Sequence, residues 1–136
     1  RIDLLESGAA RIIDYKTGQV PSSPAVEAGF KPQLTLEAAI LARDGFGLGR
    51  VIATRELVYI RLSGGEPPGE IKDLGNLDVM SVAEKHFAEL KTLLAEYELP
   101  HQPYLPAQAM ERQADRGDYD HLARFDEWAL SGGSVP

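Results

Sequence analysis

The stretch Arg1-Ile2-Asp3-Leu4-Leu5-Glu6-Ser7-Gly8-Ala9-Ala10-Arg11-Ile12-Ile13-Asp14-Tyr15-Lys16 decides the reading of this chain. Two apolar-rich runs flank Ser7-Gly8-Ala9, a pattern that predicts strands over Ile2–Glu6 and Ala10–Lys16 joined as a hairpin. A turn centred on Gly8 and Ala9 sets Glu6 against Arg11, Leu5 against Ile12, Leu4 against Ile13 and Asp3 against Asp14. Side chains alternate along a strand, so Asp3, Leu5, Ile12, Asp14 and Lys16 then share one face. Ile2, Leu4, Ile13 and Tyr15 share the other. Two opposed carboxylates repel, and covering them makes the repulsion worse. A shared proton or a bound cation relieves it. Oxygen ligands with no cysteine or neighbouring histidine favour a hard cation, Mg²⁺ or Mn²⁺. Such a cation, with Lys16 beside it, suits phosphodiester hydrolysis: the metal acidifies water and the lysine orients the nucleophile or stabilises developing charge. The plainer alternative is that Asp14-Tyr15-Lys16, ahead of Thr17-Gly18, is a solvated strand end entering a turn.

Outward from the hairpin, Thr17–Pro24 reads as turn and loop by its Gly, Pro and Ser content. Pro32 suits the first turn of a helix running to about Arg43, with Gly45 as its stop. Leu34, Leu36, Ala38, Ala39, Ile40 and Leu41 make that helix apolar on most sides, so burial is expected. Glu56–Leu62 alternates and is rich in β-formers, a third strand, and Ser63–Gly69 breaks it. Ser81 with Glu84 has the form of a capping box. Val82, Phe87, Leu90, Leu93, Leu94 and Tyr97 then mark an amphipathic helix ending before Pro100. His101–Pro106 is extended, Asp120–Leu130 reads as a short helix with Leu122, Phe125 and Trp128 inward, and Ser131–Pro136 as a frayed tail. The order strand, strand, helix, strand, helix, helix predicts a mixed α/β fold, α+β-like, and not a regular doubly wound sheet. One domain is expected over 1–136, with 1–62 carrying the hairpin, helix and strand and 79–130 a helical part. Because Arg1-Ile2-Asp3 already reads as mid-strand, the chain is expected to be a piece of a larger protein.

Bulk properties narrow the classes. The 136 residues are 43% hydrophobic and 26% charged, ordinary for a globular domain. No apolar run approaches a membrane span, and no leader is recognisable at the start. There is no cysteine, which removes disulfides, thiolate metal sites and cysteine nucleophiles, and fits a cytoplasmic protein. The formal net charge of −7 argues against non-specific nucleic-acid binding by this piece alone. It argues less against a domain whose DNA path is completed by neighbouring chains. The acidic excess gathers around Glu66–Asp78 and Glu111–Glu127.

Ile12-Ile13-Asp14-Tyr15-Lys16-Thr17-Gly18 resembles the Asp-Tyr-Lys motif of RecB-like nucleases, within the PD-(D/E)xK superfamily. Arg1-Ile2-Asp3 resembles the end of the preceding motif, and Pro32-Gln33-Leu34 the downstream glutamine motif. Gln33–Ala39, Gly117–Arg124 and Glu127-Trp128 are similar to the C-terminal nuclease domains of AddB-type subunits in their alphaproteobacterial form. The resemblance implies a restriction-endonuclease-like core, cut at its N-terminal side and followed by C-terminal helices. It implies Asp3 and Asp14 as metal ligands, the carbonyl of Tyr15 as a further one, Lys16 as the catalytic lysine and Gln33 as a group positioning the site or DNA. It also implies Mg²⁺-dependent exonucleolytic cleavage of DNA at double-strand ends during recombinational repair, with an AddA-type helicase–nuclease subunit as partner. This sequence departs from the pattern in three ways. Glu37 stands where the family often has tyrosine, four residues after the glutamine. A further His or Glu ligand from a helix before the first strand is not included, so activity is expected of the intact protein. The cysteines that bind an iron–sulfur cluster in many members are absent.

The remaining candidates read as structural. His86, His101 and His121 lack mutual metal-ligand spacing; His86 is expected at a surface or boundary, and His121 in a structural role. Tyr119 and Trp128, at helical spacing with Leu122 and Phe125, are expected in a core rather than stacked on bases. Gly45–Gly49 follows a helix and lacks a P-loop lysine, so it is no nucleotide cradle. The acidic run Asp115–Glu127 reads as a solvated face, and Ser22-Ser23 has no triad partners. Against the nuclease stand a retained scaffold that docks a helicase partner and guides DNA without cutting it, and an unrelated small α/β binding module.

Overall fold

The structure, a computed structural model, describes residues 1–102. The expectations placed on 103–136, among them the helix Asp120–Leu130 and the side chains Tyr119, His121 and Trp128, lie outside the described residues. The chain forms two compact units that divide after Leu94, and the first, Arg1–Leu94, holds the sheet and the helices packed on it. In chain order the elements are β1 (Ile2–Leu4), β2 (Ala10–Lys16), α1 (Ser23–Glu27), α2 (Gln33–Leu41), β3 (Thr54–Leu62), β4 (Gly69–Asp73) and α3 (Val79–Tyr97). The four strands form one sheet in the order β1-β2-β3-β4. The outer pairs are antiparallel hairpins, and β2 runs parallel to β3. Parallel neighbours need a crossover, which the α1–α2 segment supplies. The fold is therefore mixed α/β, as the sequence pattern implied.

The hairpin register differs from the expected one. Ile2 pairs with Ile12, Asp3 with Arg11 and Leu4 with Ala10. The loop is Glu6-Ser7-Gly8, closed by Leu5 N–H donating to the Ala9 carbonyl at 2.8 Å and Gly8 N–H to the Leu5 carbonyl at 2.9 Å. Gly8 sits at φ +82°, the left-handed last position of a three-residue hairpin loop. The expected turn had Gly8 first and Ala9 second; moving Gly8 to the last position shifts the pairing by three residues. An odd shift turns every β1 side chain to the other face of the sheet. Asp3 is thus opposite Arg11 and not Asp14. Arg11 in turn bonds Glu56 on β3 at 2.6 Å instead of facing Glu6.

One face of the sheet carries Ile12, Leu57 and Tyr59, all fully buried, and onto it pack Leu34, Ala38 and Ala39 of α2 with Val79 and Ala83 of α3. Fully burying a side chain such as Leu34 contributes roughly 2 kcal/mol. The helix reads apolar on most sides because it is enclosed on most sides; Ile40 is its exposed exception. Gly45 stops the chain's helical path: its N–H returns to the Ile40 carbonyl at 2.9 Å, and a Cβ there would come within 2.5 Å of the Ile40 side chain.

Two elements were not expected. Ser22 caps α1 through its hydroxyl, which accepts from Ala25 N–H at 3.3 Å, so this serine starts a short helix inside the supposed loop. β4 carries an almost wholly exposed side-chain row, Ile71 included, and lacks the alternation that marks a half-buried strand. The helix α3 starts two residues before the proposed capping box: the Asp78 carboxylate, not Ser81, accepts a first-turn N–H, that of Ser81 at 3.2 Å. His86 is buried, not at a boundary. Its Nδ1 lies 2.7 Å from the Thr35 hydroxyl of α2 and its Nε2 3.2 Å from the Glu27 carbonyl at the end of α1. One imidazole therefore ties α3 to both crossover helices and satisfies polar groups that would otherwise be buried alone.

Candidate active site

The first turn of α2 lies over the C-terminal end of β2, and this brings four polar side chains together. Asp14 and Lys16 are two apart on β2 and face the helix side with Ile12. Gln33 and Glu37 are one turn apart on α2 and share a face. The Gln33 amide joins both elements: its Nε2 donates to Asp14 Oδ1 at 3.4 Å and to Glu37 Oε1 at 3.2 Å, while its Oε1 accepts from Lys16 Nζ at 3.2 Å. Lys16 Nζ also lies 2.7 Å from Asp14 Oδ2. That contact is a charge pair outside hydrogen-bonding direction, since Asp14 Oδ2 is buried and has no hydrogen-bond partner. The Asp14 side chain is only 19% exposed. An orphaned carboxylate oxygen so placed is costly unless something else binds it.

Tyr59 forms the floor. It is the β3 partner of Asp14 in the parallel register and is 1% exposed. Lys16 Nζ stands 5.9 Å from its ring centroid. Burial pushes the phenol up to about 12, and the nearby charges of Asp14 and Glu37 push it the same way. Tyr59 is therefore a neutral hydroxyl at physiological pH.

Asp3 is not brought to this cluster. It lies on the opposite face, where Arg1 Nε donates to its Oδ1 at 2.8 Å. The Tyr15 ring belongs to that same outer side, its hydroxyl 3.5 Å from the Arg1 guanidinium, although its carbonyl remains in the β2 backbone between Asp14 and Lys16. Of the residues expected in the site, the structure therefore unites Asp14, Lys16 and Gln33 and leaves Asp3 apart. Among the described residues no group of three or more His, Cys, Asp or Glu side chains is placed to hold a metal ion. Among them, too, no helix is long and apolar enough to cross a membrane.

A family model for the PD-(D/E)XK nuclease superfamily matches residues 1–119. The chain belongs to that superfamily. In its terms, Asp14-Tyr15-Lys16 is the acidic-x-Lys element, and it is this element that α2 covers. The chain is also similar to three rickettsial proteins, each described only as uncharacterized. It is 28% identical over 110 residues to one from Rickettsia bellii, covering 71% of this chain and 13% of that protein. It is 40% identical over 48 residues to one from Rickettsia felis and 41% over 46 residues to one from Rickettsia conorii, each match covering 6% of the relative. The chain thus spans a small part of the length of these relatives. No solved structure matches it.

From sequence, Glu37 is expected beside Gln33 but without a partner on the sheet, and Tyr59 reads as one more strand residue. The signal for Tyr59 was there in principle. A parallel β2–β3 pair would set the apolar run Leu57-Val58-Tyr59 beside Ile12-Ile13-Asp14.

Proposed function

We propose that this chain is the nuclease module of a RecB-like DNA-processing protein, similar to the C-terminal nuclease domain of AddB-type subunits. It would hydrolyse phosphodiester bonds of a DNA strand at double-strand ends, in recombinational repair, alongside an AddA-type helicase–nuclease subunit in the cytoplasm. The observation that carries the reading is the Asp14–Lys16–Gln33 cluster at the C-terminal end of β2. The repair role and the partner rest on the likeness of Gln33–Ala39 and Gly117–Arg124 to that group.

The donors present fit a hard divalent cation, Mg²⁺ or Mn²⁺: Asp14 has a buried oxygen without a hydrogen-bond donor, the Tyr15 carbonyl is adjacent, and no sulfur ligand competes. When bound, the cation supplies Lewis acidity toward water and phosphate. The chain's own residues do the rest. Lys16, freed from Asp14 Oδ2, offers an ammonium to the negative charge that develops on the phosphate. Gln33 holds the Asp14 carboxylate in orientation through Oδ1 and fixes Lys16 through its own carbonyl oxygen. Tyr59 and the covering first turn of α2 limit the water that reaches the Asp14 side of the cluster.

The test is Mg²⁺-dependent cleavage of linear duplex DNA by the purified protein and its Asp14→Ala variant. Loss of cleavage with the fold retained is expected. Unchanged cleavage would sink the reading and favour the non-catalytic scaffold, which the position of Asp3 away from Asp14 already recommends as the second reading.

A further inference from the structure

The cluster contains a carboxylate that the Asp-x-Lys element does not account for. Glu37 stands on α2, half-buried, and shares the Gln33 amide with Asp14. The two carboxylates therefore bracket one NH₂ group, from opposite elements, over one patch of the sheet. Meanwhile Asp3 is on the other face, neutralised by Arg1. Two further polar groups in the same place have no hydrogen-bond partner. Asp14 Oδ2 is buried without a donor. Tyr59 is 1% exposed, yet no described residue hydrogen-bonds its hydroxyl. Its phenol is held neutral in part by Asp14 and Glu37, so the ring sits within the field of both carboxylates. Two carboxylates, an orphaned oxygen and the hydroxyl of a buried tyrosine converge on a space that the Gln33 amide alone now bridges. A hydrated divalent cation answers all of them: it takes oxygens from the carboxylates, and one of its waters can accept from the hydroxyl.

We infer that Glu37 is the second carboxylate of the cation site, so that Asp14 from β2 and Glu37 from α2, rather than Asp14 and Asp3, hold the divalent ion. The inference rests on the nuclease reading for the existence of a cation at Asp14, and deepens it by assigning the ligand. It follows from the hairpin register: a loop that puts Gly8 last carries Asp3 away, and α2 supplies the replacement charge. It also gives a reason for acid at position 37. A neutral side chain there would leave Asp14 as the sole anion against Lys16, with nothing to offset a bound cation's second positive charge. Gln33 then acts as a positioning residue. It spaces the two carboxylates while the site is empty and turns its carbonyl oxygen toward Lys16.

The experiment measures Mn²⁺ affinity by electron paramagnetic resonance on the purified protein, with no DNA present, and compares Asp14→Asn, Glu37→Gln and Asp3→Asn. Thermal melts confirm that each variant is folded; Glu37→Gln keeps length and hydrogen-bonding capacity, and Glu37→Asp provides a second probe that keeps the charge. The expected result is a loss of about tenfold or more for Glu37→Gln, a smaller loss for Glu37→Asp, and a change under about twofold for Asp3→Asn. Retained affinity in Glu37→Gln, or a loss in Asp3→Asn as large as that in Asp14→Asn, overturns the assignment of Glu37 while leaving the site at Asp14. Unchanged affinity in Asp14→Asn overturns the nuclease reading itself, and this assignment with it.

Discussion

The two sides of strand β2 hold one candidate carboxylate each, and their surroundings are opposite. On the helix side, Asp14 is largely buried, bears a buried oxygen without a hydrogen bond, and stands among Lys16, Gln33, Glu37 and a buried tyrosine. On the outer side, Asp3 is bound to the neighbouring Arg1, whose side chain is 60% exposed, and Tyr15 is half-exposed beside it. An exposed carboxylate–guanidinium pair is a finished interaction of small energetic weight. A buried carboxylate with an unused oxygen is an unfinished one. Sequence proximity to a motif is thus not membership of its site. Which side of the sheet a residue faces decides whether its charge is already answered.

Activity separates the two sides most directly. Asp14→Ala should reduce Mg²⁺-dependent DNA cleavage to the limit of detection, and Lys16→Met should reduce it by roughly 10²–10³-fold, the scale of losing one group that stabilises transition-state charge. Asp3→Ala should leave the rate within about threefold, since removing an exposed pair with Arg1 disturbs little. Steady-state rates on linear duplex DNA measure all three. If Asp3→Ala falls as far as Asp14→Ala, the two faces are not distinct in function.

Much of this contrast was readable in the residues, and the missing part has a physical cause. β2 emerged with its bounds intact because Ala10–Lys16 is apolar enough to be unambiguous, and the buried character of α2 followed from Leu34, Ala38, Ala39 and Leu41. The grouping of Lys16 with Asp14 followed from alternation alone. The side occupied by Asp3 did not, because it depends on whether Gly8 is first or last in the loop. Both are permitted to glycine, and they differ by an odd number of residues in register. Likewise β4 was invisible because its side chains are exposed, and His86 was misplaced because its neighbours Lys85, Glu84 and Glu89 look like a solvated face. Its burial depends on Thr35 and Glu27, 51 and 59 residues away.

The helix side also depends on a support that the outer side lacks, the His86 link. Replacing His86 with Ala leaves the Thr35 hydroxyl and the Glu27 carbonyl short of a partner and opens a cavity beneath α2. About 3 kcal/mol of stability should be lost, combining an unsatisfied buried polar group with a void. Denaturant unfolding measures it. His86→Phe, which fills the space without the hydrogen bonds, should recover only the packing part. A loss under about 1 kcal/mol for the alanine variant would mean that α2 is held over the site by its apolar side alone.

Tyr59 distinguishes the helix side through pH. The unfolded phenol titrates near its ordinary value of 10, whereas the folded one is raised to about 12 by burial and then by Asp14 and Glu37. A raised pKa means that unfolding releases the proton between these values. The native state therefore keeps its full contribution from this group below pH 10 and loses it as pH climbs toward 12. The loss is on the order of 2 kcal/mol at the upper end. Tyr59→Phe should remove that part of the alkaline destabilisation, and Tyr15→Phe, on the exposed outer side, should leave it in place. Urea midpoints measured at pH 9 and pH 11.5 in the presence of EDTA decide between them.

The smallest expected effect concerns the residue that separates the two faces. Gly8 holds φ +82° with nothing within 4 Å of where a Cβ would stand, so a side chain there meets no clash and costs only conformation. Gly8→Ala should destabilise by about 1 kcal/mol, and Gly8→Asn by less, because asparagine tolerates the left-handed region better. Neither should change cleavage, since β1 contributes no group to the cluster on the helix side. Were Gly8→Ala instead to shift the hairpin to a register with glycine's conformation no longer required, β1 could turn over and carry Asp3 to the side of Asp14. Backbone amide nuclear Overhauser contacts across the hairpin separate the outcomes: Asp3 opposite Arg11 keeps the two faces as described, and Asp3 opposite Ile12 or Asp14 would merge them.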